Sequence, residues 1–323
     1  MIFHARFAMG DRLKIEQSVL SIFGKKSGAL ERSGKVLIAT QVVEQSLDLD
    51  FDLMISDLAP MDLLIQRAGR LHRHQRDERG NPLTAGEDRR ESACMIIHGP
   101  LPTQDASGNW YETDFPKAAF VYPSHGHLWL TAHLLVERGE LRMPDDARVL
   151  IEAAFSDQAE GIPEQLRKRD NKAEAKQQAD KSLAHINMLK LDEGYSATIN
   201  QWREDMKTPT RLGTMDSTVR LARWNGRTLR PWCAEGHFPW DMSQVSLRSS
   251  LVDAEAEIDE RALAEAVAQL KEKLPDKGKW SVLVPLLQGE GGCWQGRALN
   301  NKNATVIIDY DPVTGVMVTT KEE

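Results

Sequence analysis

From Met1 to about His98 the chain alternates short apolar runs with amphipathic stretches. Met1–His4 is the first apolar run. Asp11 is placed to cap a helix from Arg12 to Phe23, with Ile15, Val19, Ile22 and Phe23 on one side and Gly24 as the stop. Val36–Ala39 and Leu53–Ile55 are β-rich apolar runs of the kind found in buried parallel strands. Asp62 is placed to start a helix reaching about Arg70, and Cys94–His98 predicts another strand. Strands separated by helices imply an α/β fold built on a doubly wound parallel sheet. Between these elements, Gln75–Glu91 is polar and carries Gly80, Pro82 and Gly86, which predicts a mobile loop.

A helical region follows. Ser124–Val136 and Asp145–Phe155 each show an apolar helical face. Pro163–Lys190 is rich in Lys, Glu, Gln and Ala and predicts a long solvated helix or helical linker. From about Tyr195 the composition shifts: Trp202, Trp224, Trp232, Trp240, Trp280 and Trp294 are six of the eight tryptophans. Large aromatics in a small domain are mostly core, which is the expected role here. Asp253–Leu274 predicts one amphipathic helix, with Leu263, Val267, Leu270 and Leu274 at helical spacing. Trp280–Leu287, Cys293–Leu299, Thr305–Tyr310 and Val316–Thr319 predict short strands, and Asp311–Gly315 supplies the last turn. The expected organisation is an α/β domain over 1–140, a helical linker over 141–200 and a small α+β domain over 201–323.

Composition narrows the functional classes. Hydrophobic residues make up 41% of the 323 and charged residues 28%, an ordinary globular balance. The net charge of −7 (41 basic against 48 acidic residues) argues against a broad non-specific nucleic-acid coat and leaves a local basic groove open. Cys94, Cys233 and Cys293 are too far apart for a zinc site or a disulfide framework, which fits a reducing cytoplasm. No run of about 20 apolar residues predicts a membrane span, and the N-terminus does not read as a signal peptide. Of the nine histidines, His125 and His127 are the closest pair, and without carboxylate partners they are expected to be core or surface residues rather than metal ligands.

Two segments carry chemistry. Ala39–Asp50 follows the strand Val36–Ala39 directly, and ligands of doubly wound sheets meet the loops at the carboxyl ends of strands. Thr40 is therefore placed to offer a hydroxyl and a backbone N–H to a phosphate. Glu44 and Asp48 lie four apart, so a helical turn would set them on one side. The segment Gln66-Arg-Ala-Gly-Arg-Leu-His-Arg73 is sharper. A helical turn here would aim Arg70 and Arg73 the same way, and two guanidinium forks match the charge that develops on a transferring γ-phosphoryl group. Arginine clusters are ordinarily solvated, salt-bridged surface. The order Gln-Arg-x-Gly-Arg-x-x-Arg, shortly after the Thr40 loop, points away from that default.

Together these segments resemble motifs V and VI of superfamily-two helicases. The wording Ala-Thr-Gln-Val-Val-Glu-Gln-Ser-Leu-Asp-Leu-Asp, followed by Asp-Leu-Ala-Pro-Met-Asp-Leu-Leu-Ile-Gln-Arg-Ala-Gly-Arg-Leu-His-Arg-His, resembles the CRISPR-associated helicase–nucleases of type I systems, type I-E most of all. Phe3-His-Ala-Arg-Phe with Asp11-Arg12 resembles that family's motif IV. Thr210-Arg-Leu-Gly, Ser217-Thr-Val-Arg and Trp240-Asp-Met-Ser-Gln-Val-Ser-Leu-Arg carry a looser likeness. The resemblance implies that the sheet is an incomplete RecA-like sheet, the second of a helicase motor. It implies that Gln66, Arg70 and Arg73 face the nucleotide, with Arg70 and Arg73 as arginine fingers and Asp48 at the nucleotide edge of the cleft. Arg6, Thr40 and Glu44 are implied to face single-stranded DNA. Ser46 stands where many such helicases have Gly. ATP and magnesium are the implied cofactors. The implied partners are single-stranded DNA, the type I surveillance complex (Cascade) and an N-terminal half or full-length helicase–nuclease.

The sequence contains no Gly-x-x-x-x-Gly-Lys-[Ser/Thr], no Asp-Glu-x-His box and no readable His–Asp nuclease constellation. Fingers contribute a factor to catalysis and do not replace metal and phosphate positioning, so hydrolysis by this chain alone is expected to be negligible. Met1 falls inside the motif IV strand, which should leave a sheet edge and apolar surface uncovered. Three readings stay open: a piece of a longer polypeptide, one half of a split helicase–nuclease, or a non-enzymatic module that binds the surveillance complex, the full helicase–nuclease or single-stranded DNA.

Overall fold

The computed structural model describes residues 1–44, 47–155, 161–171, 216–289 and 292–320. It forms two compact units. The first gathers Met1–Ile22, Ser33–Gln45 and Thr214–Glu323; the second gathers Phe23–Arg32 and Ser46–Gly213.

In the first unit, β1 (Ile2–Phe3) pairs in parallel with β2 (Ile38–Ala39), Phe3 opposite Ala39. Helix α1 runs Met9–Phe23. It starts two residues before Asp11, so Asp11 sits in the first turn and is not the cap. Its carboxylate accepts hydrogen bonds from the Trp232 indole N–H (2.6 Å) and the Tyr310 hydroxyl (2.8 Å), while that hydroxyl accepts from the Ala8 N–H (2.9 Å). Burial and the neighbouring carboxylate push the Tyr310 phenol up, so it stays a donor. Asp11→Ala would orphan two donors against a dry core. It is expected to destabilise this unit by about 1–3 kcal/mol, read from a denaturant titration; an unchanged midpoint would show that the pair is replaced by water.

The rest of this unit is a sheet of eight strands. Its main path runs β12 (Gly315–Thr320), β11 (Thr305–Asp311), β10 (Trp294–Leu299), β9 (Val282–Gln288), β5 (Asp216–Trp224) and β6 (Leu229–Pro231). β7 (Gln244–Arg248) adds to β5, and β8 (Ala254–Glu255) to β10. All pairings are antiparallel except β5 with β9. One face buries Val219, Leu221, Val284, Leu286, Ile308 and Tyr310. The other packs Ala222, Trp224 and Leu283 under the helix Arg261–Lys271 through Leu263 and Val267. Gly296 is required where β10 passes β9, because a Cβ there would lie 2.6 Å from the Pro285 carbonyl. The four predicted C-terminal strands and the Asp311–Gly315 turn form as expected. The single helix over Asp253–Leu274 does not: Ala254 and Glu255 join the sheet, and the helix begins at Arg261.

In the second unit, β3 (Leu53–Asp57) and β4 (Cys94–His98) form a parallel pair. A short helix α2 (Ala29–Arg32) precedes it. Helices α3 (Met61–Ala68), α4 (Trp110–Asp114), α5 (His125–Arg138) and α6 (Ala147–Phe155) lie in the same unit. Met95 and Ile97 turn toward a core of Leu64, Trp110, Leu128 and Trp129. Ser124 caps α5, its hydroxyl accepting from the His127 N–H. Of the predicted helix over Pro163–Lys190, residues 164–171 are helical, and the remainder lies outside the described residues, as do Trp202 and Thr210–Gly213.

The parallel pairing is as expected, but the strands are not buried as expected. Ile38 is 65% exposed and Ile55 70%, with Val36, Leu53 and Ile96 also exposed. Each parallel pair has two strands only among the described residues, and these apolar side chains lie open to solvent on it. This is the uncovered apolar surface anticipated for a partial sheet.

Candidate functional site

Thr40 follows β2. Its N–H donates to the Phe3 carbonyl (3.2 Å), and its side chain is exposed beyond the strand end. The parallel β1–β2 pairing thus turns the chain out of the sheet where a ligand-facing loop belongs. Gln41–Glu44 is a 3₁₀ turn that buries Val42. Asp48 lies in non-helical chain. The shared helical turn expected for Glu44 and Asp48 is therefore absent. Arg6 is exposed in the first unit; its carbonyl accepts the Val316 N–H (2.7 Å) beside the β11–β12 turn.

Asp48, Gln66, Arg70 and Arg73 lie in the second unit. Helix α3 ends at Ala68 with Gly69 as its cap, so Arg70 and Arg73 follow the helix. His72 has φ 46°, a left-handed bend between them. The helical turn expected to aim both guanidiniums one way is broken there. Arg70 is 8% exposed and folds back, donating to the carbonyl of Gln66 at 2.6 Å. Gln66 itself is exposed on α3. Arg73 goes the other way: its side chain is 43% exposed and its Nε lies 3.1 Å from Asp48. His74 Nε2 shares that carboxylate at 2.8 Å. The structure thus brings Asp48, Arg73 and His74 together and separates Arg70 from them in exposure and partners.

Beneath this cluster lies a charged network that sequence reasoning missed. Asp50 and Arg76 are both fully buried. Arg76 donates to the Asp50 carboxylate and the Ser27 carbonyl, and to the carbonyls of Gly24 and Gly80 at 3.0 Å each. Asp50 also receives the Arg73 N–H at 3.0 Å and Arg90 Nη2 at 3.3 Å. Arg90 binds Asp88 (2.7 Å) and Asp52 (2.7 Å), and Arg32 joins Asp52 at 2.9 Å. The stretch expected as a mobile loop is therefore tied down by its own arginines. No local signal marked Asp50 for burial, because in extended chain Asp48 and Asp50, two residues apart, would share a face.

These pairs make the unit acid-sensitive. The hydrogen bond from Arg90, then its backbone N–H and charge, outweighs desolvation and holds the Asp88 carboxyl down to about 2. Burial pushes Asp52 up, but the Arg90 and Arg32 hydrogen bonds and charges outweigh it, and its pKa lies below the ordinary value. A carboxyl depressed in the folded state contributes stability above its unfolded pKa of about 4 and loses it as pH falls through the folded value. The unit should lose stability from about pH 4 toward about 2, and Arg90→Gln should flatten that slope in acid denaturation. An unaltered slope would remove the Arg90 carboxylates as its cause.

His125 is fully buried, with Nε2 3.3 Å from the Ala119 carbonyl, and burial lowers its pKa. His127 meets the Phe155 ring edge-on. Among the described residues, no group of three His, Cys, Asp or Glu is placed to hold a metal ion, and no helix is long and apolar enough to cross a membrane.

Residues 1–76 match the family described as CRISPR-associated nuclease/helicase Cas3, C-terminal. The chain is 39% identical over 176 residues to the CRISPR-associated endonuclease/helicase Cas3 of Thermus thermophilus, covering 53% of this chain and 17% of that protein. It is 33% identical over 216 residues to the Escherichia coli protein of the same description, covering 66% and 22%. In structure it is similar to T. fusca Cas3-ATP, with TM-score 0.61, 25% identity and coverage of 94% of this chain and 35% of that one. A chain of a CRISPR RNA-guided surveillance complex in a pre-nicking state shares the fold, with TM-score 0.62 and 24% identity over 98% of this chain and 37% of that one. The chain thus spans about a fifth of the curated relatives' length and about a third of the structural neighbours'.

Proposed function

From its place in the C-terminal helicase region of the Cas3 family, we propose that this chain supplies the second RecA-like lobe and the C-terminal domain of an ATP-dependent single-stranded DNA translocase and nuclease. The observation that carries this reading is the exposed Asp48–Arg73 pair inside the segment that matches the family. An arginine held at the surface by one solvent-reachable carboxylate can exchange that partner for a phosphate. Arg73 accordingly acts as the finger on ATP, and Asp48 and Gln66 stand at the nucleotide edge. Arg70 fits the nucleotide less directly, since its guanidinium must leave the Gln66 carbonyl to reach a phosphate. Magnesium and the phosphate cradle come from the first lobe, because this sequence has no loop for them. Arg6, Thr40 and Glu44 face single-stranded DNA in this reading, on the part of the chain assigned to the helicase domain over 1–140. In the cytoplasm, the assembly acts in type I CRISPR interference and is recruited by the surveillance complex, a reading supported by the fold shared with a chain of such a complex.

DNA-stimulated ATPase, measured after mixing this chain with a first helicase lobe that carries the phosphate loop, tests the proposal. Activity that needs both parts and collapses in Arg73→Ala supports it. Activity indifferent to Arg73 removes the finger assignment.

A further inference from the structure

The β5–β6 hairpin carries an arrangement of arginines that the reading above does not use. Arg223 and Arg230 are directly opposed across the two antiparallel strands, so both side chains leave the same face. Both are exposed. Like charges in that register repel and destabilise a hairpin. No carboxylate is paired with either among the described residues. The connecting turn adds exposed Arg227, so the hairpin is locally basic in a chain whose net charge is −7.

Aromatic side chains hold this charge in place. The Arg223 guanidinium lies 3.9 Å from the centre of the Trp232 ring and 5.5 Å from that of Trp294. Trp232 is in turn fixed by edge-on contacts to Trp294 and Tyr310 and by its hydrogen bond to Asp11. Stacking restrains the guanidinium plane while leaving its N–H edges without a hydrogen-bond partner among the described residues. An arginine prepared this way loses little entropy on binding an anion and presents a flat fork suited to phosphate. A second cation directly opposite, with no acid between, calls for a ligand bearing repeated negative charge.

We propose that Arg223 and Arg230, backed by Trp232 and Trp294, form a phosphate-binding site for single-stranded DNA on the C-terminal sheet. The combination of a basic track and aromatic support is how proteins hold single strands with little sequence preference. This site rests on the translocase reading for its ligand, and it is distinct from the Thr40 and Arg6 positions assigned to DNA there.

The test measures binding of a fluorescein-labelled oligothymidylate to the full chain by anisotropy across a salt titration. On a single strand, each phosphate that is no longer neutralised by the protein lowers the log–log salt slope by about 0.7. Arg223→Gln with Arg230→Gln should therefore weaken binding and reduce the slope by about 1.4. Arg230→Gln alone, at an exposed position with no packing role, should reduce it by about 0.7, which guards against misfolding of the Arg223 variant. Slopes equal to wild type, or a wild-type chain that does not bind the oligonucleotide, would overturn the site. The translocase reading is judged separately, by the ATPase of Arg73→Ala, so the two can fail independently.

Discussion

Replacing Arg76 with Met is expected to destabilise the second unit by about 3–5 kcal/mol, enough to unfold a marginal domain. The reason is the company Arg76 keeps. Its guanidinium and the Asp50 carboxylate are both fully out of water, and the pair is completed by the carbonyls of Gly24, Ser27 and Gly80. Removing the cation leaves a buried carboxylate with only Arg90 and the Arg73 N–H to answer it, and leaves the Ser27 and Gly80 carbonyls short of a donor. Such a loss exceeds the modest gain of the intact pair, because breaking a buried pair costs the full desolvation of what remains. Arg76→Lys should rescue little, since one ammonium cannot span acceptors arranged around a planar fork. Chemical denaturation of the purified chain measures this. A shift below about 1 kcal/mol would mean that water enters the network and solvates Asp50. The same substitution should impair ATPase in the reconstituted motor, because Asp50 holds the backbone that positions Arg73.

Arg73→Ala is expected to lower DNA-stimulated ATPase by about 10³-fold or more in that reconstituted motor. Stability should barely move. The Asp48–Arg73 pair is exposed on both sides, and such pairs contribute about 0–1 kcal/mol. That asymmetry makes the result interpretable: a large kinetic loss without a fold effect belongs to the chemistry. The loss should fall mainly on kcat, as for an interaction made in the transition state. Arg70→Ala differs, because Arg70 is buried and bonded to its own helix. It should lose stability and activity together, and equal purely kinetic losses for both arginines would show that Arg70 swings outward when nucleotide binds. If Arg73→Ala hydrolyses ATP at the wild-type rate, the finger lies elsewhere.

Local pattern determined much of this protein. The strand Cys94–His98, the helix begun by Ser124 and the last four strands were legible because alternation, periodicity and turn residues act over a few neighbours. The order of residues from Gln66 to Arg73 likewise carried the resemblance to a helicase motif, since motif spacing is a property of the chain itself. Strands β5 and β7 are not legible in the local pattern, because their pairing partners lie far away in sequence. Ala254 and Glu255 read as helix for the same reason: a ladder to β10 outweighs a weak local preference. The arginine pair shows the division most clearly. The sequence by itself determined that Arg70 and Arg73 stand three apart in a helicase-like segment. Only the tertiary structure decided that α3 stops before them, that a left-handed bend at His72 parts them, and that one is buried on a carbonyl while the other stays half in water. The cause is Asp50, whose burial with Arg76 takes the Arg73 backbone N–H and so sets the path of the chain between the two arginines.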